Sequence, residues 1–122
     1  MIKLKYFTEA EFQRCDPPCS MGDMDGNLLY LLDKIRETAG IPLYLSSAYR
    51  SKAYDKAKGR SGNGAHTKGY AVDFRIQGSA DRFKIVAAAL KCGVERIGIG
   101  KTFVHIDTDP SLPSPVMFDY YE

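Results

Sequence analysis

Between Asp25 and Gly40, apolar residues recur at Leu28, Leu31, Leu32, Ile35 and Ala39. Steps of three and four place them on one face of a helix over 26–39. Asp25 is a good N-terminal cap, and Gly40, with Pro42 behind it, stops the helix. A different rhythm governs 70–76, where Tyr70, Val72, Phe74 and Ile76 alternate with Ala71, Asp73 and Arg75. A period of two makes this a strand with one apolar face and sets Asp73 on the other. Over 80–91 the pattern is helical again, with Ser79 as cap, Gly93 as stop, and Phe83, Val86, Ala87 and Leu90 expected to face inward. Residues 94–100 and 102–108 read as two strands joined by a tight turn at Gly100-Lys101. In the second, Val104 and Ile106 share one face, while Phe103, His105 and Asp107 share the other.

The remaining signals are shorter. Residues 42–46 (PLYLS) predict a strand, and 50–58 a short polar helix. GRSGNG at 59–64 predicts a flexible loop, as does the Asp-, Pro- and Gly-rich stretch 15–25. Three prolines make the tail from Asp109 onward irregular, with Phe118, Tyr120 and Tyr121 expected to pack back. Helices and strands come mixed, with hairpin-like spacing late in the chain. That predicts an α+β fold with a mostly antiparallel sheet and helices on one face. No linker or repeat divides residues 1–122, which read as a single domain.

Of the 122 residues, 44% are hydrophobic and 26% charged, a composition that excludes intrinsic disorder. No apolar run approaches the ~18 residues of a membrane span. The formal charge of +2 is spread along the chain, which gives no case for nucleic acid. The densest basic cluster, Arg50, Lys52, Lys56, Lys58 and Arg60, reads as a solvated face. The N-terminal residues carry no apolar core or cleavage site of a secretory signal, so cytoplasmic synthesis is expected. Cys15, Cys19 and Cys92 are too few for a disulfide scaffold and read as plain thiols. A small metal knuckle at Cys15 and Cys19 lacks third and fourth ligands nearby.

Only two histidines occur, His66 and His105. His66 follows the glycine loop and precedes a strand. His105 and Asp73 each lie on the face of a strand opposite its apolar side. Two imidazoles and a carboxylate on the non-core face of one sheet suit a catalytic zinc site, with three protein ligands and an open position for water. No GxSxG elbow, HExxH helix or P-loop is present to support another chemistry.

Three motifs carry a family resemblance. His66-Thr67-Lys68-Gly69-Tyr70-Ala71-Val72-Asp73 resembles the S-x-H-x-x-G-x-A-x-D signature of the zinc D-Ala-D-Ala carboxypeptidases. Ser46-Ser47-Ala48-Tyr49-Arg50-Ser51 resembles that family's S-G-Y-R-S motif, and Phe103-Val104-His105-Ile106-Asp107-Thr108 its F-V-H-V-D-T strand. The order and spacing match over roughly residues 7–108. The stretch Phe7 to Cys15 is similar to the E-F-x-C element of the compact branch. These metallopeptidases share their fold with the hedgehog signalling domain and several phage endolysins.

The resemblance implies one zinc ion per chain, held by His66, Asp73 and His105. It implies a monomeric enzyme acting on peptidoglycan stem peptides as a D,D-carboxypeptidase or an endopeptidase, released in a phage or prophage lysis setting. It also implies that Arg50 binds substrate, since a guanidinium grips a carboxylate in a two-pronged fork. The chain departs from the pattern at Gly64, where the signature has serine. It departs again at Thr102, where larger relatives carry the acidic general base, and at Phe103, where many have histidine. Asp107 is the best substitute, either accepting a proton from water or orienting an imidazole. Glu95 is a weaker candidate. Two other readings are a zinc-binding module without catalysis, bound to cell-wall peptide or a phage structural partner, and a metal-free α+β adaptor.

Overall fold

The computed structural model describes residues 2–120. Thr8 opens a short helix α1 (Glu9–Gln13), which buries Phe12. The Asp25 carboxylate accepts the Leu28 N–H and starts α2 (Gly26–Ala39), and Gly40 ends it. Strand β1 (Tyr44–Ser47), helix α3 (Lys52–Ala57), strand β2 (Ala71–Arg75) and helix α4 (Ser79–Lys91) follow. The last three elements are β3 (Arg96–Ile99), β4 (Phe103–Asp107) and β5 (Val116–Asp119). Two 3₁₀ turns, Met21–Asp23 and Ala65–Lys68, sit in stretches that the sequence marks as loop or strand approach. No helix of the described residues is long and apolar enough to cross a membrane.

The five strands run in the order β1-β2-β4-β3-β5, antiparallel except for the β3–β5 pair. The α+β class and the mostly antiparallel sheet agree with the sequence pattern. Leu28, Leu32 and Ile35 from α2 join Val72, Phe74, Val104 and Ile106 from the sheet in one core cluster. Each such side chain contributes roughly 1.5–3 kcal/mol on burial. The core therefore fixes which way β2 and β4 face, and with them Asp73 and His105 on the opposite side.

Four local expectations are corrected. Phe83 is 74% and Leu90 54% exposed; the buried face of α4 is Ile85, Ala88 and Ala89. Two apolar stripes compete on this helix. The alanine stripe wins because its small side chains let α4 lie close to α2, where Thr38 Oγ1 meets Cys92 Sγ at 3.5 Å. Gly78, not Ser79, is the N-cap of α4. The β3–β4 turn sits one residue later, at Lys101-Thr102, with the Gly100 N–H on the Phe103 carbonyl. The tail is not irregular throughout: residues 116–119 form the edge strand β5, and Phe118 and Tyr120 do pack back. Tyr121 lies outside the described residues.

Cross-strand register places one residue from every strand in a single transverse row. Ser47 faces Asp73, Asp73 faces His105, His105 faces Gly98, and Gly98 faces Phe118. A bulge in β1 between Leu45 and Ser47 brings Ser47, rather than Ser46, opposite Asp73. The chain reaches this row at Gly69, whose φ of +79° and close approach to the Asp23 carbonyl leave no room for a side chain.

Candidate metal centre

Side-chain donors of His66, Asp73 and His105 all lie within 4.8 Å of one another. The sequence places these residues on separate elements, and the fold brings them together. His66 sits in the 3₁₀ turn Ala65–Lys68, with Nδ1 2.6 Å from the Ala48 carbonyl oxygen. A carbonyl only accepts, so Nδ1 carries the proton and Nε2 is left as a lone pair. That Nε2 faces Asp73 Oδ1 at 3.4 Å. His105 Nδ1 lies 2.9 Å from the same oxygen. Its Nε2 lies 2.7 Å from Asp107 Oδ2.

Asp107 is 1% exposed, and both of its oxygens are occupied. Oδ1 receives Arg96 Nε at 2.7 Å and the Asp109 amide at 3.2 Å, and Oδ2 receives the imidazole. Arg96 also donates to the Pro113 carbonyl, which ties the proline-rich segment to the site. The charges are mutually supportive. Burial pushes the Asp73 carboxyl up, but the hydrogen bond from His105, with the His66 ring close by, outweighs it and holds the group well below the usual carboxylate range. Burial disfavours the His105 imidazolium, yet Asp107 and Asp73 on its two nitrogens raise its pKa. Asp107 is lowered in turn, against its burial, by His105 and then Arg96.

Arg50 leaves the end of β1 at the border of the site. Its amide donates to the His66 carbonyl at 3.3 Å, and Nη1 reaches Ser47 Oγ at 3.4 Å. Its Nε is 3.3 Å from the carboxylate of buried Asp55. Asp55 Oδ2 also accepts the Gly62 N–H, so one carboxylate braces both the guanidinium and the glycine loop before His66. Sequence reasoning misses Asp55, because nothing in the pattern of α3 marks it. It also misses Arg96, although the alternation of Arg96 and Gly98 with Ile97 and Ile99 marks a non-core face. Glu95 is exposed and lines a surface groove with Leu90, Val116 and Met117, none of which belongs to the site.

A wall of rings completes the site on the β5 side. Phe118 and Tyr120 lie 5.6 Å and 6.3 Å from the His105 ring, centroid to centroid. The Tyr120 phenol is pushed up to about 12, first by burial and then by the negative charges of Asp73 and Asp107, so it remains a hydroxyl at neutral pH.

The donor set fits zinc. Neutral imidazole nitrogens and a carboxylate oxygen are its ordinary ligands, and bonds of ~2.0–2.2 Å at tetrahedral angles put donor atoms ~3.3–3.6 Å apart. The 3.4 Å between His66 and Asp73 is such an edge, and the 2.9 Å between His105 and Asp73 is somewhat shorter.

A protein family described as Peptidase M15 matches residues 5–107 of the chain. Among solved structures, the chain is similar to the L-Ala D-Glu endopeptidase ChiX of Serratia marcescens, with a TM-score of 0.53 and 17% identity. The likeness covers 79% of this chain and 86% of that one. No curated protein matches.

Proposed function

Because the chain belongs to the peptidase M15 family, we propose that it hydrolyses amide bonds in peptidoglycan stem peptides, using one zinc ion held by His66, Asp73 and His105. The observation that carries this reading is the convergence of those three donors, from three separate elements, within 4.8 Å. Zinc supplies Lewis acidity there, polarising the scissile carbonyl and making water nucleophilic at neutral pH.

The protein's own groups do the rest. The Ala48 carbonyl holds His66 in the tautomer that presents Nε2. Asp107 holds His105 by Nε2, which turns Nδ1 toward Asp73. Of the two roles open to Asp107, orientation of the imidazole is the better supported. Its oxygens are both committed, and it lies on the far side of the ring from the donor cluster. Arg50, braced by Asp55 and Ser47, grips a substrate carboxylate at the edge of the site. Both a D,D-carboxypeptidase and an endopeptidase use these parts; the bond cut separates them.

The test is digestion of purified peptidoglycan by zinc-loaded protein, with products read by mass spectrometry. The expected result is a single class of cleaved stem peptide, lost on chelation. Intact stem peptides after exposure to zinc-replete protein would overturn the proposal. Thr102, at the position where larger relatives carry an acid, favours a second reading, a zinc-binding module that does not hydrolyse. That module takes up zinc stoichiometrically and leaves the substrate whole.

A further inference from the structure

The transverse row does not end at the metal ligands. Beyond His105 it continues through Gly98 to Phe118 on the edge strand. A Cβ on Gly98 would stand 2.6 Å from Phe118 Cε2, 2.8 Å from Tyr120 Cε2 and 3.1 Å from His105 Cβ. The missing side chain is thus the space into which the two rings lean, across β3 and toward His105. Phe118 and Tyr120 are 5.7 Å apart, and Phe103 backs Tyr120 at 5.0 Å. Although it touches three rings, Tyr120 keeps 47% of its surface exposed. Arg96 stacks on Phe118 at 5.5 Å and is already paired with Asp107, and Arg50 lies near enough to act on the Tyr120 phenol. The two ends of the row therefore differ. The β1 end carries a guanidinium suited to a carboxylate, and the β5 end carries aromatic faces and one phenol hydroxyl.

We propose that Phe118 and Tyr120 form a saccharide subsite, on which a pyranose ring of the glycan stacks while the peptide's carboxylate lies toward Arg50. A pyranose presents a face of C–H groups to an aromatic ring and hydroxyls to a phenol, which matches a half-buried ring beside an exposed one that carries a donor-acceptor group. A purely alkyl group has no use for the Tyr120 hydroxyl, and the guanidinium nearest Phe118, Arg96, is already held by Asp107 and the Pro113 carbonyl. The subsite rests on the peptidase reading for its substrate. It adds the direction in which that substrate lies, glycan toward β5 and free carboxylate toward β1.

The experiment compares wild type, Tyr120→Ala and Tyr120→Phe on two substrates, a disaccharide-bearing muropeptide and the same peptide without sugar. Hydrolysis kinetics and calorimetric binding are measured for each, with zinc content as a control. Tyr120→Ala is expected to raise KM and Kd for the muropeptide roughly five- to tenfold, with kcat little changed. The sugar-free peptide should lose little, zinc content should hold, and Tyr120→Phe should recover the stacking share of the loss but not the share owed to the hydroxyl. Equal losses on both substrates would mean that the rings hold the peptide, and would overturn the saccharide subsite; so would no loss on either. If wild type cleaves neither substrate, hydrolysis fails as a reading, and calorimetry still decides the subsite. Sugar-dependent binding that weakens in Tyr120→Ala sustains it, and sugar-independent or absent binding removes it. Should the alanine variant fold poorly, shifts of the Tyr120 ring resonances in wild type on titration with the disaccharide alone replace it, and their absence counts against the subsite.

Discussion

Each imidazole of the proposed metal site is fixed by a partner on its far nitrogen, and the two partners differ in kind. His66 uses a backbone carbonyl, which no substitution removes. His105 uses Asp107, which can be tested. Asp107→Asn keeps the shape but sets an amide against Arg96 or against the imidazole. It should cost about 10–100-fold in zinc affinity, with activity falling in step. A general base would show the opposite split, with turnover down ~10²–10⁴-fold and zinc affinity intact. Zinc titration and kinetics on the one variant separate the two. Arg50→Lys keeps the charge and loses the fork, so KM should rise while zinc content stays constant. Equal kinetic constants in Arg50→Lys and wild type would remove Arg50 from substrate binding. The three proposed ligands were legible because each is a polar residue at an interruption or on the polar face of a clear pattern. Asp55 and Arg96 were not, because their importance lies in contacts made between elements distant in sequence.

At the level of elements, the apolar pattern predicts α2 closely but turns two exposed residues of α4, Phe83 and Leu90, inward. Periodicity ranks stripes by hydrophobic size, whereas packing against α2 selects the stripe with small residues. The tail shows a related limit. Its three prolines mask a four-residue strand that pairs in parallel with β3, and parallel pairing leaves no turn signal nearby. The seating of β5 depends on Gly98. In Gly98→Ala the added methyl meets both rings and the His105 Cβ. Overpacking of this kind costs about 1–3 kcal/mol. The expected signature is a lower melting temperature, with the fastest added amide exchange in β5. Unchanged exchange across 116–119 would mean that the rings swing aside freely.

For the whole molecule, the proposed ligands come from a 3₁₀ turn and two strands, so zinc bound there would cross-link parts of the chain that are far apart in sequence. Zinc should raise the melting temperature and a chelator lower it, reversibly. An apo protein as stable as the zinc-loaded form would mean that the ion contributes nothing to folding. Acid stability is governed partly by another long-range tie. Buried Asp109 accepts from Lys68 Nζ at 3.0 Å and from the Ser111 amide and hydroxyl, linking the proline-rich segment to the turn that bears His66. Burial opposes its charge, but the bonds from Ser111 and Lys68 prevail and lower its pKa below the ordinary 3.8. The unfolded chain therefore binds the proton first as pH falls. The stabilisation is complete above 3.8 and disappears as pH drops through the lower native value. The stability gap between wild type and Asp109→Asn, about 1–3 kcal/mol at neutral pH for bonds to a charged group, should close in acid. A gap independent of pH would show that the ion pair contributes nothing.

The transverse row sets limits on how the chain can change its length. Strand side chains alternate, so one residue inserted or deleted inside β2, β3 or β4 sends that strand's member of the row to the core side and brings an apolar residue out in its place. Five strands must keep count together, from Ser47 to Phe118. Variation in length is therefore confined to the connections. The glycine loop at 59–64 and the β3–β4 turn can gain or lose residues, because neither lies in a paired strand. A single insertion between Val104 and Ile106 is the most damaging of all, because it removes His105 from the cluster and turns a buried valine or isoleucine toward the face that carries Asp73.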